Sequence, residues 1–312
     1  MSGQLSRRTF MKSAAAALGA GGPAWFAASS AASEVRLKPP VSRRGKTVVG
    51  AHVWVYAAPQ PGYDPTPVLD QAFSDLSYAG IDAVELMETA LRHDDAVDRI
   101  GGLIEKYKLP VLGASLGGDM WDRSQHGAIF EDADTVIGRL AQLHGRTLGV
   151  SVGRAPQKKT PEQLDAQGEM VKKITALGKA HGVVLNLHNH TYEVENDEYD
   201  LKGTLARVPD AKLGPDLNWL VRAGEDPVDF IRRYGRRIIF MHLRDQKADG
   251  TWSEAMGEGV TDFAAIGREL KEISFTGDAV IELAHEKGFQ LTRPLRDSWK
   301  MSREYVRKTL GF

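Results

Sequence analysis

A closed barrel of eight alternating strand–helix units, the TIM-barrel class of α/β fold, is predicted for residues 47–312 as a single domain. Three observations predict it. Strand-like and helix-like segments alternate from Thr47 onward with little interruption. Eight such pairs fit into that length. Four of the strand-like stretches, VVLNLHNH, KLGPDLN, RRIIFMH and DAVIELAHE, carry a metal-compatible side chain near their ends. Those side chains recur roughly thirty to forty residues apart, the length of one strand, one helix and their loops. A doubly wound open sheet is the alternative, because strand order does not follow from one sequence, but no glycine-rich dinucleotide fingerprint follows the first strand.

The strands are expected at Thr47–Val55, Ile81–Leu86, Pro110–Ser115, Thr147–Val152, Val183–His188, Lys212–Leu217, Arg237–His242 and Ala279–Leu283, with eight helices between and after them. The clearest helix starts at Thr160-Pro161-Glu162-Gln163, where Thr caps, Pro takes the first turn and Gln completes a capping box. It keeps Val171, Ile174 and Leu177 on one face and stops at Gly182. Thr66-Pro67 and Asp226-Pro227 repeat the cap-then-proline start, and Arg293-Pro294 lies near the start of the last helical pattern.

Ahead of the barrel, Ser6-Arg7-Arg8-Thr9-Phe10-Met11-Lys12 and the Ala/Gly-rich run that follows read as a twin-arginine export signal over residues 1–32. Residues 33–46, with Pro39-Pro40 and Arg43-Arg44, read as a tether. A periplasmic location and the export machinery as a partner follow from that signal, whose apolar run is too short and weak for a membrane anchor. Without cysteine, the chain has no disulfide and no thiolate metal site. A net charge of −1, made more acidic by removal of Arg7, Arg8 and Lys12 with the signal, argues against a nucleic-acid partner. A homo-oligomer is compatible with all of this.

Strand side chains alternate, so His188 shares a face with Asn186 and His190, Asp216 with Gly214 and Asn218, His242 with Phe240 and Arg244, and Glu282 with Val280 and Ala284. Each lies near the C-terminal end of its strand, where barrel active sites are built. Alone, each has a plainer role: a satisfied core histidine, a turn cap after Pro215, or a Glu282–Arg244 pair. Together, two imidazoles and two carboxylates make a site for Mn²⁺, Co²⁺, Fe²⁺, Ni²⁺ or Zn²⁺. Mn²⁺ is favoured, because export of an already folded protein lets the ion be chosen away from competing Zn²⁺ and Cu²⁺.

The stretches GIDAVELMET, VVLNLHNHTYEVE, PDLNWLVRAGEDPVDFIRRYGRRIIFMHLRD, MGEGVTDF and AVIELAHE resemble the xylose isomerase-like TIM barrels, the sugar phosphate isomerase/epimerase family, in its HNHxxE subgroup. The resemblance spans nearly all of Thr47 to Phe312. It implies a divalent metal held from strands five to eight, which places His188, Asp216, His242 and Glu282 as ligands. His188 is a departure, since many members carry Glu there. Epimerases of the family set the strand-five and strand-eight glutamates on opposite faces of a ketose, so with His188 as ligand a second base is needed beside Glu282. His190, Glu193 and Glu85 are the candidates, Glu85 having a salt bridge to Arg92 as its alternative role.

His52, Trp54 and Tyr56 would alternate on one side of the first strand's end and, with Trp121, Trp219 and Trp252, offer aromatic faces to a sugar. Arg244 would donate to a developing oxyanion, and Glu258 in the MGEGVTDF loop would touch substrate. Asp245 would hold a loop or Arg244. Arg154 and Lys247 are isolated basic residues, and no helix-opening glycine loop cradles phosphate. The activity implied is isomerisation or epimerisation of a sugar or keto-sugar by proton abstraction beside a metal-polarised carbonyl, through an enediolate. A lyase or dehydratase eliminating a β-oxygen from a 3-keto-glycoside or inosose is the alternative, ahead of a non-catalytic carbohydrate-binding barrel or a metal-dependent endonuclease.

Overall fold

The computed structural model describes residues 47–312; the expected signal and tether lie outside the described residues. Eight strands form one parallel sheet: β1 (Val49–His52), β2 (Ala83–Met87), β3 (Val111–Gly117), β4 (Thr147–Ser151), β5 (Val184–Leu187), β6 (Lys212–Leu213), β7 (Phe240–Leu243) and β8 (Asp278–Ile281). Their spatial order is β6-β5-β4-β3-β2-β1-β8-β7. The remaining gap, between β6 and β7, is closed by two isolated parallel bridges, Leu213–Ile238 and Asp216–His242. Ile239 N–H donates to Leu213 O at 3.0 Å and His242 N–H to Pro215 O at 2.9 Å across this seam. The predicted barrel is therefore the observed fold.

The helices are α1 (Trp54–Ala57), α2 (Leu69–Tyr78), α3 (Glu88–Leu91), α4 (Ala96–Tyr107), α5 (His126–Gln142) and α6 (Pro161–Ala180) in the first half. The second half adds α7 (Thr191–Arg207), α8 (Leu217–Arg222), α9 (Pro227–Tyr234), α10 (Phe263–Glu272) and α11 (Leu295–Leu310). Eight of them are long, as expected, and α1, α3 and α8 are short turns at strand ends. The capping box of α6 is present: Thr160 N–H donates to Gln163 Oε1 at 2.9 Å and Gln163 N–H to Thr160 Oγ1 at 3.3 Å. Asp226 caps α9 through Val228 N–H at 2.8 Å.

Every strand but the third is shorter than the sequence suggests, and for three of them the local reason is visible. The first stops at His52, whose Nδ1 accepts Trp54 N–H at 3.2 Å as the chain turns into α1. Tyr56 therefore leaves the expected alternation and enters the core, stacking on Trp299 and donating its hydroxyl to Asp75 at 3.0 Å. The sixth stops at Leu213, because Pro215 has no N–H for a ladder and Asp216 turns its side chain to capping α8. Before β7, the segment Gly235–Arg237 forms a 3-10 turn, so pairing with β8 begins only at Phe240.

The barrel interior is layered. Ala83, Leu112, Phe240 and Val280 form an apolar floor. Two residues further along their strands the polar set Glu85, His242 and Glu282 begins, which is the alternation of inward-facing positions. Asn186 joins that level, its Nδ2 donating to Thr147 Oγ1 at 2.8 Å. Gly214 allows it: a Cβ there would lie 1.8 Å from Asn186 Oδ1. Outside, the strands and helices enclose the larger apolar core, which includes Phe73, Ile100, Met241 and Trp299.

Candidate active site

A cavity of about 240 Å³ opens above this polar layer at the C-terminal ends of the strands. His52, Glu85, His188, His190, His242, Arg244 and Glu282 line it, with Trp54, Trp219 and Trp252 as aromatic walls. Asp216 lies just behind, fully buried. Ligand atoms of His188, Asp216 and His242 all come within 4.8 Å of one another. Asp216 is held in place from two sides. Its Oδ1 accepts Asn218 N–H at 2.9 Å and Trp219 N–H at 3.2 Å, while Asn189 Oδ1 accepts its backbone N–H at 3.2 Å.

The charges around this group are tightly paired. Arg244 Nη2 lies 3.1 Å from Asp216 Oδ2 and 2.5 Å from Glu282 Oε1, so one guanidinium bridges two buried carboxylates. The same guanidinium lies 5.4 Å from the Trp219 ring and 5.0 Å from that of Trp252. His242 sits between two acids, with Nε2 2.5 Å from Glu85 Oε2 and Nδ1 3.1 Å from Glu282 Oε2. Burial opposes charge on this imidazole, but Glu85 and Glu282 outweigh it and raise its pKa to about 9. Burial works against charge on Glu282 too, yet Arg244 and His242 hold its pKa down at about 2. Burial raises Asp216 despite Arg244. Burial and the neighbouring His242 and His190 hold His188 well below the usual imidazole value, which favours the neutral ring.

The donor set fits a divalent ion. Nδ1 of His188 and Nδ1 of His242 are buried polar atoms with no hydrogen-bond partner, and two imidazoles with carboxylates suit Mn²⁺, Co²⁺, Fe²⁺, Ni²⁺ or Zn²⁺. A metal would be held by His188, Asp216 and His242. Glu282 stands at their edge, already engaged by Arg244.

The family model for xylose isomerase-like TIM barrels matches residues 73–309. The chain belongs to this family. Among curated proteins, this xylose isomerase-like barrel is 25% identical over 162 residues to an inosose dehydratase of Clostridium beijerinckii, which covers 46% of this chain and 53% of that protein. The match thus spans about half the length of that relative. Among solved structures, the barrel resembles a D-allulose 3-epimerase from Methylomonas sp., with a TM-score of 0.69, 19% identity and coverage of 85% of this chain and 99% of the other. A 3-keto-D-glucoside 4-epimerase from E. coli is similar too, with a TM-score of 0.61, 16% identity and coverage of 83% and 100%. At such identities the two structures establish the fold.

The barrel gathers most of the residues expected at the site and leaves some outside it. Glu85 faces His242 rather than Arg92, which pairs with Glu88 and Asp132. Glu193 is not on the cavity wall; it is buried, and its Oε2 accepts His190 N–H at 2.7 Å, so the last residue of HNHxxE caps the start of α7. Glu258 is also off the wall. It accepts Ala255 N–H at 3.1 Å and pairs with Arg293 at 2.6 Å, tying the loop after β7 to the segment before α11. Asp245 holds that loop, accepting N–H groups of Gly257 and Gly259 at 3.0 Å each. Trp121 and Tyr56 are not on the wall, Lys247 is exposed, and Arg154 lines a separate cavity with Tyr192 and Tyr199.

Sequence reasoning missed Ser115, Ser151 and Asn189. Ser115 Oγ lies 3.2 Å from His52 Nε2, and Ser151 Oγ lies 3.4 Å from His190 Nδ1. Both serines sit at or next to the ends of predicted strands, a position that itself signals the active-site rim of a barrel.

His242 makes metal-free stability depend on pH. Its folded value of about 9 lies above its ordinary 6.5, so the stabilisation is complete below pH 6.5 and lost as pH rises through 9. The melting temperature of the metal-free protein is expected to fall between pH 7 and 10, by the equivalent of ~3 kcal/mol. Melts in that range on wild-type and His242→Gln proteins check it: the variant should lack most of this slope.

Proposed function

We propose that the protein is a divalent-metal-dependent sugar isomerase or epimerase, exported to the periplasm by the twin-arginine pathway and using Mn²⁺ by preference. The observation that carries this reading is the convergence of His188, Asp216 and His242 within 4.8 Å beside a cavity walled by tryptophans. Similarity to sugar epimerases supports it. When bound, the ion would polarise a substrate carbonyl and stabilise the charge that builds as the adjacent C–H is deprotonated.

His190 is the group assigned to take that proton. It lies on the cavity wall, its ring stacked on Tyr192 with centroids 5.4 Å apart. Burial lowers its pKa, but the Glu193 carboxylate, helped by Asp216 and Glu282, brings it above the usual imidazole value. Glu282, with its pKa held near 2, is a weak base at neutral pH and serves better as an anchor for Arg244. Arg244 offers its remaining N–H groups to the oxygen that gains charge. Trp54, Trp219 and Trp252 orient the sugar and exclude water, with His52 lining the same cavity. His190→Gln is expected to keep its metal and lose about 10²–10⁴-fold in kcat, read from metal content and turnover on the same preparation.

A second reading has an observation of its own. Epimerisation across two faces of a ketose calls for two proton-transfer groups, yet His188 replaces the usual strand-five Glu and Arg244 pins Glu282. One base beside a polarised ketone suffices for β-elimination from a 3-keto-glycoside or an inosose: His190 removes the proton α to the carbonyl and the β-oxygen departs with its bonding pair. Similarity to an inosose dehydratase and to a 3-keto-D-glucoside 4-epimerase fits this chemistry. Metal-replete protein incubated with ketoses and 3-keto-glycosides in deuterated water tests both. Deuterium entering beside the carbonyl supports proton abstraction, and the products separate epimer from enone; finding neither exchange nor an unsaturated product with any of them rejects both readings.

A further inference from the structure

Glu85 has no accessible surface, and among the described residues its one charged partner is His242, with Oε2 2.5 Å from Nε2. The two come from β2 and β7, which are not adjacent in the sheet, so the contact crosses the barrel interior. A buried carboxylate without Lys or Arg is costly, and its position calls for a reason.

A neutral imidazole has one N–H and one lone pair, and the acceptor it faces decides which nitrogen carries which. With the Glu85 carboxylate at Nε2, that nitrogen keeps its N–H, so the ring proton that a cation displaces is the one on Nδ1, and the lone pair then falls there. That Nδ1 is buried, has no hydrogen-bond partner and faces Glu282 Oε2 at 3.1 Å. We infer that Glu85 is a positioning residue: it sets the tautomer and ring orientation of His242 so that Nδ1 is the atom offered to the metal. This role rests on the metal-dependent reading above. Carboxylate-oriented histidine ligands bind metal about 10–100-fold more tightly than those whose partner is removed.

The test compares wild type, the near-isosteric Glu85→Gln, Glu85→Leu and His242→Asn, each labelled with ¹⁵N-histidine. In the metal-free protein, the Nε2–H bond to Glu85 should give a ring N–H proton resonance downfield of the amides, present in wild type and absent from Glu85→Leu and His242→Asn. With diamagnetic Zn²⁺, the ¹⁵N shifts of His242 should place the ion on Nδ1. Titration with Mn²⁺ alone should give a dissociation constant 10–100-fold weaker in Glu85→Leu and a smaller loss in Glu85→Gln, whose amide oxygen still accepts the N–H. Zn²⁺ on Nε2 in wild type, or unchanged Mn²⁺ affinity in Glu85→Leu, overturns the role while leaving the proposed function standing. If Glu85→Leu does not fold, unchanged affinity together with an unmoved ring resonance in Glu85→Gln overturns it instead. A wild type that takes up neither ion removes the proposed function, and this role with it.

Discussion

Arg244→Met is expected to destabilise the metal-free protein by about 3–5 kcal/mol, because it strips the shared counter-ion from two buried carboxylates. Asp216 and Glu282 would then face each other with His242 alone between them. The same change should tighten Mn²⁺ binding, since the guanidinium competes with any cation for Asp216 Oδ2 and Glu282 Oε1. Loss of stability without metal, combined with recovery as Mn²⁺ is added, is a signature that ordinary core damage does not produce. Urea unfolding with and without Mn²⁺ measures both halves. A variant as stable as wild type in the absence of metal would mean that Arg244 does not hold the two acids together in solution.

Asp216→Ala and His242→Ala are each expected to lose bound metal and at least about 10³-fold in kcat/KM, the scale of a Lewis-acid contribution of several kcal/mol. Asp216→Ala has a second cost. It removes the cap of α8, whose Asn218 and Trp219 N–H groups lose their acceptor, worth about 1 kcal/mol. Metal analysis and deuterium exchange on the same samples check the expectation. Full activity in either variant would rule out the assigned ligand set.

Much of this was legible in the sequence, and the reasons are specific. Inward-facing alternation places Phe240, His242 and Arg244 on the inner side of β7 and its continuation, and Val280 and Glu282 on the inner side of β8 and its continuation, so the strand ends could be read from period-two patterning. The start of α6 was legible because Thr160, Pro161 and Gln163 each contribute by short-range chemistry. What escaped depended on contacts between distant segments. The pairing of Glu85 with His242 spans 157 residues, and nothing near Glu85 distinguishes it from a residue paired to Arg92. The same holds for Tyr56, whose departure from the β1 pattern is driven by Asp75 and Trp299. Glu193 and Glu258 carry charges that suit catalysis as well as capping; only their hydrogen bonds decide between the two uses. The family is evident from the chain itself, whereas the outcome for the substrate turns on where His190 and Arg244 sit relative to a bound sugar.

The seam between β6 and β7 gives the site a mechanical meaning. Elsewhere around the barrel, neighbouring strands are joined by ladders of two or more consecutive pairs, but here two isolated bridges close the ring, and one of them joins Asp216 to His242. These are also two of the three residues assigned to the ion. An ion bound by both would work as a rivet across the least reinforced joint of the cylinder, so that loading the site and locking the barrel shut would be a single event.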